Sequence, residues 1–133
     1  MITGGCLCGA VAYEADGVAG PVVHCHCRTC QKAHSAAFAT TARVRRDEFR
    51  WLRGEDARAA YASSPGKLRH FCTRCGSQLI SEWVDQPMVI LRIATTESGL
   101  DAMPERHIWT SHQPPWDIGR DDLPRFSEGG PTA

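Results

Sequence analysis

Residues 25–30 read CHCRTC, so three thiols lie within six residues and no fourth cysteine follows nearby. The chain has seven cysteines, and the other four form two pairs, in GGCLCG at residues 4–9 and in FCTRCGS at residues 71–77. An odd number argues against a complete set of disulfides, and partners spaced as CxC or CxxC would close very small, strained rings. The spacing therefore favours metal binding, and metal clusters of this kind help to decide how a small domain folds.

Composition limits the classes of protein to which the chain can belong. Its 133 residues fit one domain, 42% of them are hydrophobic, and 15 basic residues balance 15 acidic ones. This balance lacks the basic excess of nucleic-acid-binding proteins, and no apolar run is long enough to cross a bilayer. The amino-terminal residues also lack the basic and apolar regions of a signal peptide. We therefore expect a cytoplasmic protein with neither a nucleic-acid nor a membrane partner.

Each cysteine pair has the geometry of a two-pronged clamp. Side chains alternate along an extended chain, so Cys6 and Cys8 are expected to point the same way. In the second pair, Cys72 and Cys75 are followed by Gly76, which tolerates the positive φ of a tight turn around sulfur ligands. Zinc in structural sites takes four tetrahedral ligands, and the two clamps supply four. We predict a structural zinc site there and call its ligands, Cys6, Cys8, Cys72 and Cys75, the four-cysteine cluster.

The remaining thiols, Cys25, Cys27 and Cys30, form the three-cysteine cluster. Three protein ligands and one exchangeable position are the pattern of a catalytic zinc site, so we predict a second Zn²⁺ per chain there. Two alternatives stay open at this point. In one, a thiol of the three is an ordinary buried cysteine; in the other, a histidine completes the cluster and makes it structural. A rubredoxin-like iron site is a further alternative, because all-cysteine clusters also accept iron.

Short runs of alternating or β-branched residues, separated by Gly, Pro, Asp or Ser, predict a mainly β domain. The predicted strands are residues 11–15, 22–27, 38–44, 68–72, 79–83 and 88–95. Residues 30–34 are predicted to form one helical turn, and residues 56–62 suit either a helix or an edge strand. The last residues, SEGGPTA, have the composition of a disordered tail. We expect one domain over residues 1–126 and a disordered tail over residues 127–133.

Four stretches of the sequence resemble one family. They are GGCLCGAVAY at residues 4–13, CHCRTCQKAHSAAFA at 25–39, FCTRCGSQL at 71–79 and HIWTSHQPPWDIGRDDLPRF at 107–126. Together they are similar to the glutathione-dependent formaldehyde-activating enzymes, the GFA family, which also includes the centromere protein V domain. The resemblance covers nearly the whole chain. One departure is Ser35, where many members carry glycine after the tripeptide KAH.

The resemblance implies both a fold and an activity. The implied fold is a β-tent of several short antiparallel sheets, with one zinc in the four-cysteine cluster and a second in the three-cysteine cluster. The implied activity joins glutathione to formaldehyde and gives S-hydroxymethylglutathione, which is formally a carbon–sulfur lyase reaction run in reverse. Both implied zinc positions agree with the division that the cysteine spacing predicts.

The donor set indicates which chemistry the second site suits. Zinc bound by three thiolates is a weaker Lewis acid than zinc bound by three histidines, because each thiolate donates charge, so hydrolysis is not the first reaction to expect. An incoming thiol suits the site better, since it can be held as a thiolate for attack on an aldehyde carbon. We predict an enzyme with a small thiol and a small aldehyde as its partners. The alternative is a non-catalytic zinc-stapled binding module with two structural metals.

Addition to an aldehyde also needs a proton donor for the developing oxygen, and His34 is the candidate. It lies four residues after Cys30, so one helical turn would bring both residues to the same side. His24 and His26 are expected to point away from the thiols, toward packing or solvent. The four tryptophans are expected to pack in the core, and the alternative for Trp109 and Trp116 is an apolar lid over a pocket. Basic residues beside the cysteines could either pair with carboxylates of glutathione or stabilise the negative thiolate clusters, and these are Arg28, Lys32 and Arg74.

Overall fold

Short strands joined by turns build the protein, and the computed structural model describes residues 1–131. Within that range the strands are β1 (Ile2–Gly5), β2 (Ala12–Ala15), β3 (Val22–Cys25), β4 (Ala39–Arg45), β5 (Phe49–Arg53), β6 (Arg58–Ser64), β7 (Lys67–Cys72), β8 (Gln78–Trp83), β9 (Met88–Arg92), β10 (Thr96–Ser98) and β11 (Pro104–Ile108), and the helix is α1 (Arg28–His34). The prediction of a mainly β fold with antiparallel sheets is confirmed.

The strands form two sheets. A four-stranded sheet has the order β10-β1-β2-β5 and is antiparallel throughout. A seven-stranded sheet has the order β11-β3-β4-β9-β8-β7-β6, and only its β11–β3 pair is parallel among the described strands. Because consecutive strands often belong to different sheets, the chain passes between the sheets several times. Residues from the start of the chain therefore meet residues from its middle.

The core contains side chains from both sheets. Tyr13 of β2 packs with Val44 of β4, Leu79 of β8 and Leu91 of β9, and all four are fully buried. Burying an apolar side chain of this size stabilises a fold by roughly 1.5–3 kcal/mol. The hydroxyl group of Tyr13 shares a hydrogen bond of 2.7 Å with the hydroxyl group of Thr95, so its polar atom is also satisfied.

The seven-stranded sheet has two different faces. Along β9, Val89 and Leu91 point into the core, whereas Ile90 and Arg92 point to the opposite face, as the two-residue period of a strand requires. The opposite face lines a cavity of about 530 Å³. The same sheet therefore contributes a core face on one side and a cavity face on the other.

The chain that follows β11 folds back along this strand. The N–H of His107 donates to the carbonyl of Pro124 at 2.7 Å, and the N–H of Phe126 donates to the carbonyl of His107 at 2.9 Å. The imidazole of His107 lies 2.8 Å from His26 Nε2 and 3.0 Å from both carboxylate oxygens of Asp121. These contacts fix the returning segment to β11 and to the residue that follows β3.

The predicted strands cover most of the larger sheet, but two of them are too long. The strand predicted over residues 22–27 ends at Cys25, because α1 begins three residues later. The strand predicted over residues 88–95 ends at Arg92 and gives way to a 3-10 turn over Ile93–Thr95. The predicted helical turn is part of α1, and most of residues 56–62 belong to β6.

Four strands are not predicted, namely β1, β5, β10 and β11. β1, β10 and β11 are short, contain glycine or charged residues and lack clear apolar alternation, so pairing with neighbouring strands fixes them. In β5, Phe49 and Trp51 alternate with Arg50, a short apolar signal between arginines that lies outside the predicted strands. The domain boundary at residue 126 and the disorder of residues 127–133 stay predictions, and residues 132–133 lie outside the described range. Within residues 1–131, no helix is long and apolar enough to cross a membrane.

Candidate metal centres and cavity

The sulfur atoms of the four-cysteine cluster lie within 4.8 Å of one another. Cys6 Sγ is 3.7 Å from Cys8 Sγ, and Cys8 Sγ is 3.8 Å from Cys72 Sγ. A tetrahedral ion with sulfur ligands at about 2.3 Å requires sulfur–sulfur separations of about 3.8 Å. The four side chains therefore fit a tetrahedral metal ion.

Local hydrogen bonds support sulfur anions in this cluster. Backbone N–H groups donate to two of the sulfurs, from Val11 to Cys6 Sγ at 3.2 Å and from Arg74 to Cys72 Sγ at 3.4 Å. The hydroxyl group of Ser77 lies 3.3 Å from the sulfur of Cys75 and, with the backbone, lowers the pKa of Cys75 to about 5. Hydrogen bonds of this kind favour the thiolate, which is the form that binds metals.

Two turns present these sulfurs. Gly76 has a φ of 79°, as predicted for the turn that follows Cys75. Cys6 and Cys8 do not lie on an extended strand, because β1 ends at Gly5 and the N–H of Gly9 closes a turn on the carbonyl of Cys6. The extended geometry expected for this pair is wrong, although the turn brings the two sulfurs equally close.

The position of the four-cysteine cluster relates it to folding. Cys6 and Cys72 are buried members of the core, with exposed fractions of 5% and 0%. Cys6 directly follows β1 of the four-stranded sheet, and Cys72 ends β7 of the seven-stranded sheet. A metal ion held here would therefore join the two sheets next to the core.

The three-cysteine cluster is assembled from one short segment. Cys25 ends β3, Cys27 is the N-cap of α1, and Cys30 lies in the first turn of that helix. The N–H of Cys30 donates to Cys27 Sγ at 3.3 Å, and Cys25 Sγ lies 3.7 Å from Cys30 Sγ. All three sulfurs lie within 4.8 Å of one another. Among residues 1–131, no histidine, cysteine or acidic side chain joins them as a fourth member of this group.

The surroundings favour the thiolate form at one sulfur of this cluster, that of Cys30. Hydrogen bonding with Cys25 and Cys27 lowers the pKa of Cys30 well below its usual range, and the nearby charges of Arg92 and Arg69 lower it further. Hydrogen bonding to its two neighbours, followed by burial, raises the pKa of Cys25. An all-thiol donor set with an anionic member suits a soft or borderline metal ion.

The two clusters differ in their position relative to the cavity. Cys25, Cys27 and Cys30 line the cavity on the larger sheet, and none of the other four cysteines does. Side chains from β3, β4, β7, β8 and β9 form much of the remaining wall. Its volume of about 530 Å³ lies in the range of small-molecule sites, so only the three-cysteine cluster can meet a ligand of that size there.

Two histidines are relevant to proton transfer. His34 ends α1, and its Nε2 atom is buried without a hydrogen-bond partner among residues 1–131. Burial, followed by the charge of Arg92, lowers the pKa of His34 to about 4, so the ring is neutral at pH 7. The histidine that lines the cavity is instead His112. The N–H of Arg28 donates to Nδ1 of His112 at 3.1 Å, so the neutral His112 ring carries its hydrogen on Nε2.

His24 and His26 take part in packing contacts. His26 is buried, and its ring lies against Phe38 at a centroid distance of 5.0 Å. His24 Nδ1 hydrogen-bonds the hydroxyl group of Thr40 at 2.8 Å. The expectation that all tryptophans pack in the core is wrong for Trp116, which is 64% exposed, and for Trp83 and Trp109, which line the cavity.

The basic residues of the cavity are not those that the sequence singled out. Arg74 pairs with Asp56 at 3.3 Å, and neither Arg74, Arg28 nor Lys32 lines the cavity. Its basic lining residues come mainly from strands: Arg43, Lys67, Arg69, Arg92 and Arg106. One sequence feature could have indicated these residues, namely an arginine within an otherwise apolar strand, as in residues 88–93, MVILRI.

Comparison with known proteins agrees with this architecture. The sequence model of the family described as glutathione-dependent formaldehyde-activating enzyme matches residues 1–112. A Halomonas elongata protein, named as a candidate glutathione-dependent formaldehyde-activating enzyme, is 30% identical over 129 residues, covering 87% of this chain and 79% of that protein. The crystal structure of a Rhodobacter sphaeroides protein is similar with a TM-score of 0.62 and 23% identity, covering 92% of this chain and 98% of that one, which shows a shared fold.

Proposed function

The chain belongs to the family of glutathione-dependent formaldehyde-activating enzymes, and we propose that it joins a thiol such as glutathione to a small aldehyde such as formaldehyde. In the reverse direction it would act as a carbon–sulfur lyase. The three-cysteine cluster would hold a zinc ion for this reaction, and the four-cysteine cluster would hold a structural zinc ion. The observation that carries the proposal is that the three-cysteine cluster alone lines the cavity.

The donor count supports this division of roles. Four thiolates complete a tetrahedral zinc site, whereas three leave one position for a ligand from the cavity. Zinc held there would supply the Lewis acidity that keeps an incoming thiol deprotonated near neutral pH. The chain's own part is to orient both reactants within the cavity and to limit access of water, which the apolar side chains of Ile108 and Trp109 would assist.

The reaction moves one proton. A carbon–sulfur bond forms between the thiol sulfur and the carbonyl carbon, the carbonyl π bond breaks, and the thiol proton ends on the oxygen. His34 is one proposed carrier of this proton, since its Nε2 atom is buried without a partner in the described range and its ring is neutral at pH 7, but it is not among the described lining residues of the cavity. His112 is a second candidate, because it lines the cavity and its Nε2 atom carries a hydrogen.

The test compares the intact protein with Cys27→Ser. Serine is a good N-cap residue, so this change should retain the start of α1 while removing one sulfur from the cavity. We expect about two zinc ions per chain to fall to about one, with the circular dichroism spectrum unchanged. The acceleration of S-hydroxymethylglutathione formation, measured by exchange NMR with glutathione and formaldehyde, should fall at least 100-fold, as an order-of-magnitude estimate.

Other outcomes would contradict the proposal. Loss of both metals or of the folded state in Cys27→Ser would mean that the three-cysteine cluster is structural. Two bound zinc ions without any acceleration in the intact protein would favour the zinc-stapled binding module. In the same assay, His34→Gln and His112→Gln identify the proton carrier, because only the variant of that residue should slow the reaction while retaining both metals.

A further inference from the structure

The cavity beside the three-cysteine cluster has a one-sided charge. Five basic side chains line it, whereas no aspartate or glutamate is found among its described lining residues. Over the whole chain, basic and acidic residues are balanced at 15 each. The excess of positive charge in the cavity is therefore a local arrangement, and it faces the proposed reaction site.

Two of these basic residues are deeply buried. Arg69 and Arg92 are only 7% and 5% exposed. Arg69 Nε donates to the hydroxyl group of Ser63 at 3.1 Å, and Arg92 Nη2 donates to the hydroxyl group of Ser81 at 2.9 Å. Arg69 Nη1 and Arg92 Nε are buried without a hydrogen-bond partner among residues 1–131. Neither guanidinium group forms an ion pair with an acidic side chain in that range.

Strand register explains why both arginines face the cavity. Arg69 on β7 pairs with Ser81 on β8, which pairs with Ile90 on β9. Arg92 lies two residues after Ile90 and therefore on the same face of the sheet. Arg92 in turn pairs with Thr41 on β4, toward the strand that carries Cys25. The two arginines and the three-cysteine cluster thus share one face of one sheet.

Buried arginines without acidic partners are costly unless an anion compensates them. No acidic side chain supplies that compensation, because the described lining of the cavity contains Lys67, Arg69 and Arg92 but neither aspartate nor glutamate. The buried guanidinium groups therefore lack an acidic side-chain counterpart among residues 1–131.

The behaviour of Lys67 agrees with this excess of basic side chains. Burial, followed by the charges of Arg92 and Arg69, lowers the pKa of Lys67 to about 8. Thiolates of Cys30 and Cys27 act in the opposite direction. Burial is the largest cause of the lowered pKa, and the charges of both arginines add to it.

We infer that Arg69 and Arg92 form an anion-binding pair that holds a carboxylate group of the reactant in the cavity beside Cys25, Cys27 and Cys30. This inference rests on the proposed function for the identity of the reactant. The planar guanidinium groups offer paired N–H donors that match a carboxylate. The carboxylate can belong to the thiol, as in glutathione, or to the aldehyde, as in glyoxylate; formaldehyde has none. The pair would therefore select an anionic reactant and fix its orientation.

Calorimetric titration tests the pair independently of turnover. The zinc-loaded protein is titrated with S-methylglutathione, with its dimethyl ester and with glyoxylate. S-methylglutathione cannot react through sulfur, and the ester lacks free carboxylates. If the thiol supplies the carboxylate, the ester should bind at least about tenfold more weakly than S-methylglutathione. If the aldehyde supplies it, glyoxylate should bind while the ester and its parent bind alike.

Matched variants assign the effect to the arginines. In Arg92→Gln and in Arg69→Gln, affinity for the carboxylate probe should fall at least about tenfold, and the difference between acid and ester should disappear. The affinity of Arg92→Lys for the carboxylate probe should lie between those of the intact protein and Arg92→Gln, because lysine keeps the positive charge but lacks the paired N–H donors of the planar guanidinium group. Arg120→Gln is the control, since Arg120 is exposed and donates only to the neighbouring Gly119 carbonyl in the described structure. It should bind all probes as the intact protein does.

Three results would overturn the inference. In the first, both glutamine variants bind the carboxylate probe as tightly as the intact protein does. In the second, Arg120→Gln loses as much affinity for this probe as the two glutamine variants at Arg69 and Arg92. In the third, these two variants lose bound zinc. The third result would mean that the guanidinium groups serve only to neutralise the thiolates. If Arg92→Gln does not fold, Arg69→Gln and Arg92→Lys still decide the outcome. A protein that binds the probes through this pair but does not accelerate thiol addition would refute the proposed function and leave the anion site standing.

Discussion

The two cysteine clusters contain the same donor atom in opposite surroundings. In the four-cysteine cluster, Cys8 contacts Cys72, which lies 64 residues further along the chain, and two members of the cluster are buried in the core. The three-cysteine cluster is contained in six residues between β3 and α1, and it faces a cavity lined by basic side chains. One cluster lies at the edge of the core, with Cys6 and Cys72 buried and Cys8 exposed, and the other faces space for a ligand.

This difference indicates what each cluster can contribute. A cross-link between distant segments removes much conformational entropy from the unfolded chain, whereas a cross-link within six residues removes little. Metal binding at the four-cysteine cluster should therefore contribute strongly to folding. Metal binding at the three-cysteine cluster should contribute less to folding. Its fourth metal ligand could therefore exchange during a reaction without unfolding the domain.

The largest expected effect is the loss of folding in Cys72→Ser. This change removes a proposed ligand of the structural zinc ion, a side chain that is 0% exposed and ends β7 beside the core. We expect loss of metal from both clusters and loss of the cooperative thermal transition, because structural zinc commonly contributes on the order of 10 kcal/mol to folding. Zinc quantification and circular dichroism check this. A folded Cys72→Ser protein that retains one zinc ion would remove the distinction between the clusters.

The division of the seven cysteines into two clusters could be predicted from the sequence, because it depends mainly on the local spacing of the cysteines. CxC, CxxC and CHCRTC each bring sulfurs together within a few residues, whatever the rest of the fold does. The strands with clear apolar alternation were predictable for the same reason. The fold class needed no knowledge of which strand pairs with which.

The cavity was not predictable, because it depends on pairing between distant strands. Arg69 and Arg92 meet the same space only through the register of β7, β8 and β9, which no local pattern specifies. His112 reaches the cavity through the segment that follows β11, by accepting a hydrogen bond from Arg28. Residues beside the cysteines in sequence, such as Arg74, point elsewhere.

A smaller effect should distinguish the clusters by their response to pH. The pKa of Lys67 is lowered to about 8, mainly by burial and then by Arg92 and Arg69. Below pH 8 the side chain is protonated and adds to the attraction of an anion; as the pH rises above 8 it becomes neutral. Affinity for S-methylglutathione should therefore weaken by roughly 3–10-fold between pH 7 and pH 9.5, the size expected for one charge-assisted contact.

Calorimetry at each pH with Lys67→Arg as reference makes this measurement specific. Arginine stays charged throughout, so the ratio of the two affinities cancels the titration of the ligand itself. The affinity of the intact protein divided by that of Lys67→Arg should be close to one at pH 7 and should fall at pH 9.5. The zinc content of the four-cysteine cluster should not follow this transition, because Lys67 lines the cavity and that cluster does not. A constant ratio across this range would show that Lys67 does not contribute to anion binding.

The smallest effect concerns two turns with similar backbone geometry and different residues. Gly76 directly follows Cys75 of the four-cysteine cluster and has a φ of 79°. Ser35 is the C-cap of α1, the helix that carries Cys30, and has a φ of 51°. Left-handed geometry costs a residue with a Cβ atom roughly 1 kcal/mol, partly offset by the greater freedom of glycine in the unfolded chain. Ser35→Gly should therefore raise the free energy of unfolding by up to about 1 kcal/mol, whereas Gly76→Ser should lower it by a similar amount.

Ala36→Gly is the matched control for this pair. Ala36 is exposed and adjacent to Ser35, but its φ is not positive, so glycine there should lower the free energy of unfolding by roughly 0.5–1 kcal/mol. Chemical denaturation of the three variants measures the differences. Because no atom outside the chain neighbours lies within 4 Å of a Cβ built on Gly76, its cost should arise from backbone geometry alone. If Ser35→Gly and Ala36→Gly destabilise equally, the serine is not strained, and the two turns do not differ in the way their backbone angles indicate.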